Sequence, residues 1–121
     1  MVERERLICS VQDLAGERQC VRFELPELGE RVSGFVLSYG GTVYGYVNRC
    51  AHVPVELDWN EGDFFDLSGH YLLCATHGAH YAPDSGRCVL GPCKGRSLEP
   101  LPVTERDGNV YLNVEMLSLF Q

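Results

Sequence analysis

The chain is short of positive charge, of long apolar runs and of helical pattern. Its 10 Lys and Arg face 17 Asp and Glu, a formal net charge of −7 at pH 7. A nucleic-acid backbone or an anionic bilayer would repel such a chain at long range, so neither is an expected partner. A basic protein surface suits it better. No stretch reaches the ~20 apolar residues that a membrane-spanning helix needs. The opening MVERERLICS lacks an apolar segment of signal-peptide length, and Arg4 and Arg6 are not adjacent as a twin-arginine signal requires. A cytoplasmic protein is expected. In a reducing compartment the six cysteines point to thiolate ligands or buried thiols rather than to a disulfide framework. There is no internal repeat and no low-complexity tract. At 121 residues the chain is one domain, 1–121, large enough to bury a real core but too small for a cofactor domain plus a separate substrate domain.

What is present is β pattern. Runs that alternate apolar and polar residues recur in CVRFELP from Cys20, GFVLSYG from Gly34, TVYGYVN from Thr42, HYLLCAT from His70 and NVYLNV from Asn109. Such period-two runs rich in Val, Tyr and Phe are strand signals. Gly40-Gly41 and Asp107-Gly108 sit between pairs of these runs and predict tight hairpin turns. No segment predicts a helix of three turns, although VEMLSLF from Val114 fits either a short helix or a last strand. The fold class expected is all-β, built of antiparallel sheets with an inserted site-bearing subdomain. That subdomain spans about 47–97, where four of the six cysteines and all four histidines crowd together. The supporting sheets are expected from about 5–46 and 98–115.

Within the insertion the chemistry centres on two pairs, Cys50 with His52 and Cys74 with His77. They stand as C-x-H and C-x2-H, with 21 residues between His52 and Cys74. Thiolate binds iron and zinc strongly, and neutral imidazole suits both. Zinc sites space paired ligands two to four residues apart, so the one-residue gap of Cys50 and His52 is unusual for zinc. One Cys and one His in each pair also allows the ligands to be divided between two irons, both thiolates on one and both imidazoles on the other. A zinc-binding interaction module is the competing assignment.

The segments CAH and CATHGAHY, followed by DSGRCVLGPCKGRSLEPLPV, resemble the Rieske 2Fe-2S ferredoxin family and the Rieske domains of oxygenases. The resemblance runs from about Val47 to Asn113. It implies a Rieske-type fold of antiparallel sheets and one 2Fe-2S cluster per chain. It further implies that Cys50 and Cys74 bind the inner iron and that His52 and His77 bind the outer iron through Nδ1. Gly78 follows the second histidine, and Gly91-Pro92 stands where the family has a third loop shielding the cluster. The respiratory branch adds a disulfide between its ligand loops, but here Pro54, Val55 and Thr76 stand nearby and no cysteine does, so the ferredoxin and oxygenase branch fits. The high-potential branch has a serine two residues after the second histidine and a tyrosine four after it, both donating to the sulfurs. This chain has Ala79 and Tyr81. Losing one donor and keeping the other implies a potential low to intermediate in the family range of roughly −150 to +300 mV.

A carrier role follows from the resemblance: one electron at a time, taken from a reductase and passed to an oxygenase or similar acceptor. A Rieske oxygenase also needs a mononuclear iron held by two His and a carboxylate. Only His70 and His80 remain unassigned, so the chain is expected to be an electron-transfer protein and not itself an enzyme. The alternatives are a Rieske-type small subunit of a larger reductase and a redox or iron sensor module.

Other features have plainer readings beside the functional ones. Tyr81 either donates to a cluster sulfur or is a packed aromatic with an exposed hydroxyl. His70 and His80 are expected at the surface, and Cys9 and Cys20 as buried thiols in strands. Cys88 and Cys93, flanking the Gly-Pro loop, are expected as thiols rather than as a disulfide. The stretch VPVELDWNEGDFFDLSG holds Glu56, Asp58, Glu61, Asp63 and Asp66, no Lys or Arg, and the aromatics Trp59, Phe64 and Phe65. This acidic segment, 56–66, is either a docking surface for a redox partner or a loop whose aromatics pack inward.

Overall fold

The computed structural model describes residues 5–14, 20–26, 32–49, 57, 64–65, 71–74, 78–91 and 96–114. Among the described residues nine strands run in chain order: β1 (Glu5–Ser10), β2 (Cys20–Glu24), β3 (Ser33–Tyr39), β4 (Thr42–Val47), β5 (Leu72–Leu73), β6 (His80–Tyr81), β7 (Cys88–Leu90), β8 (Val103–Arg106) and β9 (Asn109–Asn113). A 3-10 turn, Val11–Leu14, follows β1. Three antiparallel sheets of three strands result, ordered β1-β9-β8, β2-β3-β4 and β5-β6-β7. Among the described residues no helix is long and apolar enough to cross a membrane.

Both expected hairpin turns form. Tyr39 pairs with Thr42 and Arg106 with Asn109, leaving two-residue loops. Positive φ at Gly40 (61°), Gly41 (84°), Asp107 (54°) and Gly108 (80°) gives both the twist that matches right-handed strands, which is why Gly and Asp stand there.

The β2-β3-β4 sheet is the middle layer. Ser33 through Leu37 are all buried, which happens only when both faces of a strand are covered. The alternation of side chains then divides the core. Phe35 and Leu37 pack with Tyr46, Leu57, Phe64, Phe65, Leu72, Cys74, Ala79, Tyr81, Cys88 and Leu98 on the side of β5-β6-β7. Val36 faces Leu14 and Val110 on the side of β1-β9-β8, where Leu25, Val47, Leu101 and Leu112 form a neighbouring cluster. Each fully buried Phe or Leu contributes about 1.5–3 kcal/mol relative to an exposed one, so the middle strand is stabilised from both sides.

Two expectations need correction, and two strands were not expected. The run from His70 to Thr76 is strand only at Leu72–Leu73 among its described residues, because the backbone of Cys74 turns to close the following loop. Cys9 and Cys20 are half-buried rather than buried. Strands β6 and β7, two and three residues long, are too short for any period-two pattern to announce them. Val114 is a turn, and the rest of VEMLSLF lies outside the described residues.

Candidate metal centre

The β5-β6-β7 sheet carries the first of the site features. Leu72 pairs with Tyr81 and Leu73 with His80, so the chain reverses between Cys74 and Ala79. The Cys74 N–H donates to Ala79 O (2.9 Å), and the Gly78 N–H donates to Cys74 O (2.8 Å). Both backbone groups of Cys74 are thus spent on the loop's base. Gly78 takes the left-handed conformation there, φ 72°. The Cys74 side chain is fully buried in the site-side core. The expected ligands Cys50, His52 and His77 lie outside the described residues.

A second loop leans on this one. Gly91, directly after β7, has φ 110°, and a Cβ on it would stand 2.8 Å from Ala79 Cα and 3.3 Å from Ala79 N. Only a residue without a side chain lets the two backbones approach so closely. Residues 92–95, with Pro92 and Cys93, lie outside the described residues. Beyond them Cys88 N–H donates to Arg96 O and Leu98 N–H to Gly86 O, both at 2.8 Å. The Cys88 thiol donates to Leu90 O at 3.5 Å.

The base of the first expected ligand loop is fixed by Asn48, which sequence reasoning passed over. It is one of two buried polar residues among those described, at 4% exposure, the other being Ser33. Its N–H donates to Ser33 O (2.8 Å), its Nδ2 to Ser33 Oγ (3.2 Å), and its Oδ1 accepts the Leu57 N–H (2.8 Å). An Asn directly after a strand is a loop-forming signal, so NRCAH held the clue. Farther along, Leu73 N–H donates to Phe64 O at 2.7 Å, and Phe64 stacks on Phe35 with centroids 4.0 Å apart.

Tyr46 joins the middle sheet to the site sheet. Its hydroxyl donates to Pro83 O at 2.8 Å, and the ring lies where a Cβ on Gly86 would fall, 2.7 Å from Tyr46 Cε1. Burial, reinforced by the charge of Asp84, pushes this phenol up from its ordinary value and keeps it a donor. Tyr81 is fully buried, which removes the possibility of an exposed hydroxyl. His80 is half-buried; its Nδ1 is 2.9 Å from Gly78 O, and since a carbonyl only accepts, that nitrogen carries the proton. Phe64 and Phe65 are buried in the core, so neither belongs to a docking surface. Trp59, His70 and the acids Glu56, Asp58, Glu61, Asp63 and Asp66 lie outside the described residues. On the far side of the molecule, burial and the charge of Asp13 push the Cys9 thiol up to about 11, leaving it protonated and unreactive at neutral pH.

Among the described residues a buried cysteine thus opens a loop whose base is hydrogen-bonded, on a small sheet docked against a β scaffold. Residues 5–111 match the Rieske [2Fe-2S] domain, and the chain belongs to that family. Membership brings one 2Fe-2S cluster to the chain. No curated protein matches the sequence. Among solved structures, a chain in the complex of reduced oxygenase and oxidized ferredoxin in carbazole 1,9a-dioxygenase is 21% identical with a TM-score of 0.71, over 93% of this chain and 95% of that one. The ferredoxin of Sphingomonas yanoikuyae B1 is 22% identical with a TM-score of 0.67, over 91% and 98%. The terminal oxygenase of carbazole 1,9a-dioxygenase from Novosphingobium sp. KA1 is 24% identical with a TM-score of 0.69, over 91% of this chain and 29% of that one. These likenesses are of fold.

Proposed function

We propose that this chain is a one-electron carrier that takes electrons from a reductase and delivers them to an oxygenase or similar acceptor. Cys50 and Cys74 hold one iron of its cluster, and His52 and His77 hold the other through Nδ1. The match to the Rieske [2Fe-2S] domain across residues 5–111 carries this assignment. The residues fit the group: Cys74 is a fully buried thiol at the mouth of a loop whose base is already hydrogen-bonded, the donor chemistry that a buried thiolate-bound iron requires. The cluster supplies a centre that accepts and returns a single electron. Around it the chain's own groups have separate tasks. Gly91 packs against Ala79 at the end of the loop that begins at Cys74 and with Pro92 would shield the cluster from one side, while Gly78 supplies the left-handed backbone, φ 72°, that closes that loop. Tyr81, fully buried, would be the residue that donates to a cluster sulfur. Ala79 supplies no such donor, which favours a potential in the lower part of the family range.

The likeness of fold to the ferredoxin of Sphingomonas yanoikuyae B1 supports the carrier role. Redox protein partners follow from it, and the acids of segment 56–66 (Glu56, Asp58, Glu61, Asp63 and Asp66), without the buried Leu57, Phe64 and Phe65, are the proposed docking surface, their negative charge steering a basic partner. The decisive experiment is a low-temperature electron paramagnetic resonance spectrum of the dithionite-reduced protein, with iron, sulfide and zinc measured on the same sample. A rhombic signal with two irons and two sulfides per chain is expected. A silent sample with stoichiometric zinc overturns the assignment.

A further inference from the structure

The two ligand loops are closed in different ways. Between Cys74 and Ala79 the main chain suffices, through Cys74 N–H to Ala79 O and Gly78 N–H to Cys74 O. The chain from Asn48 to Leu57, which contains Cys50 and His52, is bridged at its ends by a side chain: Asn48 Oδ1 accepts the Leu57 N–H at 2.8 Å. The same side chain is anchored from the other end by Nδ2 to Ser33 Oγ at 3.2 Å, and its own N–H reaches Ser33 O. Asn48, Ser33 and Leu57 are all buried, at 4%, 2% and 0% exposure. A buried amide that satisfies one donor and one acceptor on two different segments is expensive to lose, because each orphaned partner then pays its desolvation.

We infer that Asn48 is a positioning residue for the first ligand loop, holding the ends of the segment that presents Cys50 and His52. The inference rests on the ligand assignment above. Leu57, buried beside Phe64 in the site-side core, is the fixed point, and the Asn48 amide transfers that fixity to the start of the loop. The amide suits both contacts, accepting from one backbone N–H while donating to a hydroxyl. Leucine has the volume without either bond.

The test compares wild type, Asn48→Ala and Asn48→Asp as isolated, with Leu112→Ala as a control in the opposite core. Three quantities are read: hydrogen exchange at the Leu57 amide, the rate of iron loss to a chelator well below the unfolding temperature, and the reduction potential. In Asn48→Ala the Leu57 amide exchanges about tenfold faster or more, iron loss accelerates and the potential shifts. Asn48→Asp keeps an acceptor for Leu57 N–H and can take the Ser33 hydroxyl proton, so its Leu57 exchange stays closer to wild type than to Asn48→Ala. Leu112→Ala lowers the melting temperature but leaves Leu57 exchange and the potential in place. If Asn48→Ala matches wild type in all three, or changes no more than Leu112→Ala, the positioning role is wrong. If Asn48→Ala does not fold, an Asn48→Asp protein with Leu57 exchange and iron retention near wild type supports the role, and one that loses both overturns it. A wild type lacking the rhombic signal and the two irons defeats the ligand assignment, while Leu57 exchange still reports on the clamp.

Discussion

Replacing Gly91 by alanine isolates the contact between the loop after β7 and the ligand loop. Two penalties combine there. An L-residue at φ 110° is strained by about 1–3 kcal/mol. Its Cβ would also meet Ala79 Cα at 2.8 Å, a backbone atom that cannot rotate aside, and such overpacking costs about 1–3 kcal/mol more. The sum, about 2–6 kcal/mol, is a large part of the roughly 5–15 kcal/mol that stabilises a domain. Gly108→Ala is the matched control: φ is also positive, 80°, but nothing lies within 4 Å of the added Cβ, so only the left-handed penalty of about 1–2 kcal/mol remains. Urea denaturation of both variants gives the difference directly, provided their m-values agree. Gly91→Ala should also release iron faster, because Ala79 closes the loop that begins at Cys74. Equal midpoints for the two variants would refute the reasoning, since the loop after β7 would then not rest on Ala79.

Two further perturbations test the scaffold. Phe64→Ala should destabilise by about 3–5 kcal/mol, because Phe64 is fully buried and stacked on Phe35; a loss under about 1 kcal/mol by chemical denaturation would contradict its place in the core. The Arg106 guanidinium holds the Glu5 carboxyl below its ordinary range through bonds of 2.6 and 3.2 Å. A folded-state value below the unfolded one means that the pair contributes above the unfolded carboxyl value and is lost as pH falls through the folded one. Glu5→Gln should therefore melt slightly below wild type near neutral pH, converge with it in acid, and lose the difference in high salt; a gap that persists in acid would point to packing instead.

The sequence exposed those parts of the fold that rest on local rules. Alternation marked β2, β3, β4 and β9, and both hairpins were legible because Gly40-Gly41 and Asp107-Gly108 supply the positive φ that two-residue turns demand. The site sheet was not, since β5 and β6 hold two residues each, too few for the period-two pattern to repeat. Isolated bridges, Phe65 with Leu72 and Arg87 with Ser97, add to its edges. The family was recognisable from CAH and CATHGAHY because ligand spacing is itself a sequence property. The inward packing of Phe64 and Phe65 was only one of two readings, for an acidic setting says nothing about which way an aromatic points. Asn48 went unnoticed because its importance comes from burial, which NRCAH does not state.

Tyr46 bears on how such a site could be moved between proteins. A three-stranded sheet with strands of two and three residues has too little ladder to persist in water alone, and its apolar underside is completed by Phe35, Leu37 and Tyr46 from the neighbouring layer. With the Tyr46 hydroxyl bound to Pro83 O and its ring pressed on Gly86, the mount is keyed to one host surface. A segment cut at residues 47 and 97 and grafted onto another β scaffold would arrive without its floor. A working transplant would have to carry the β3–β4 hairpin with it.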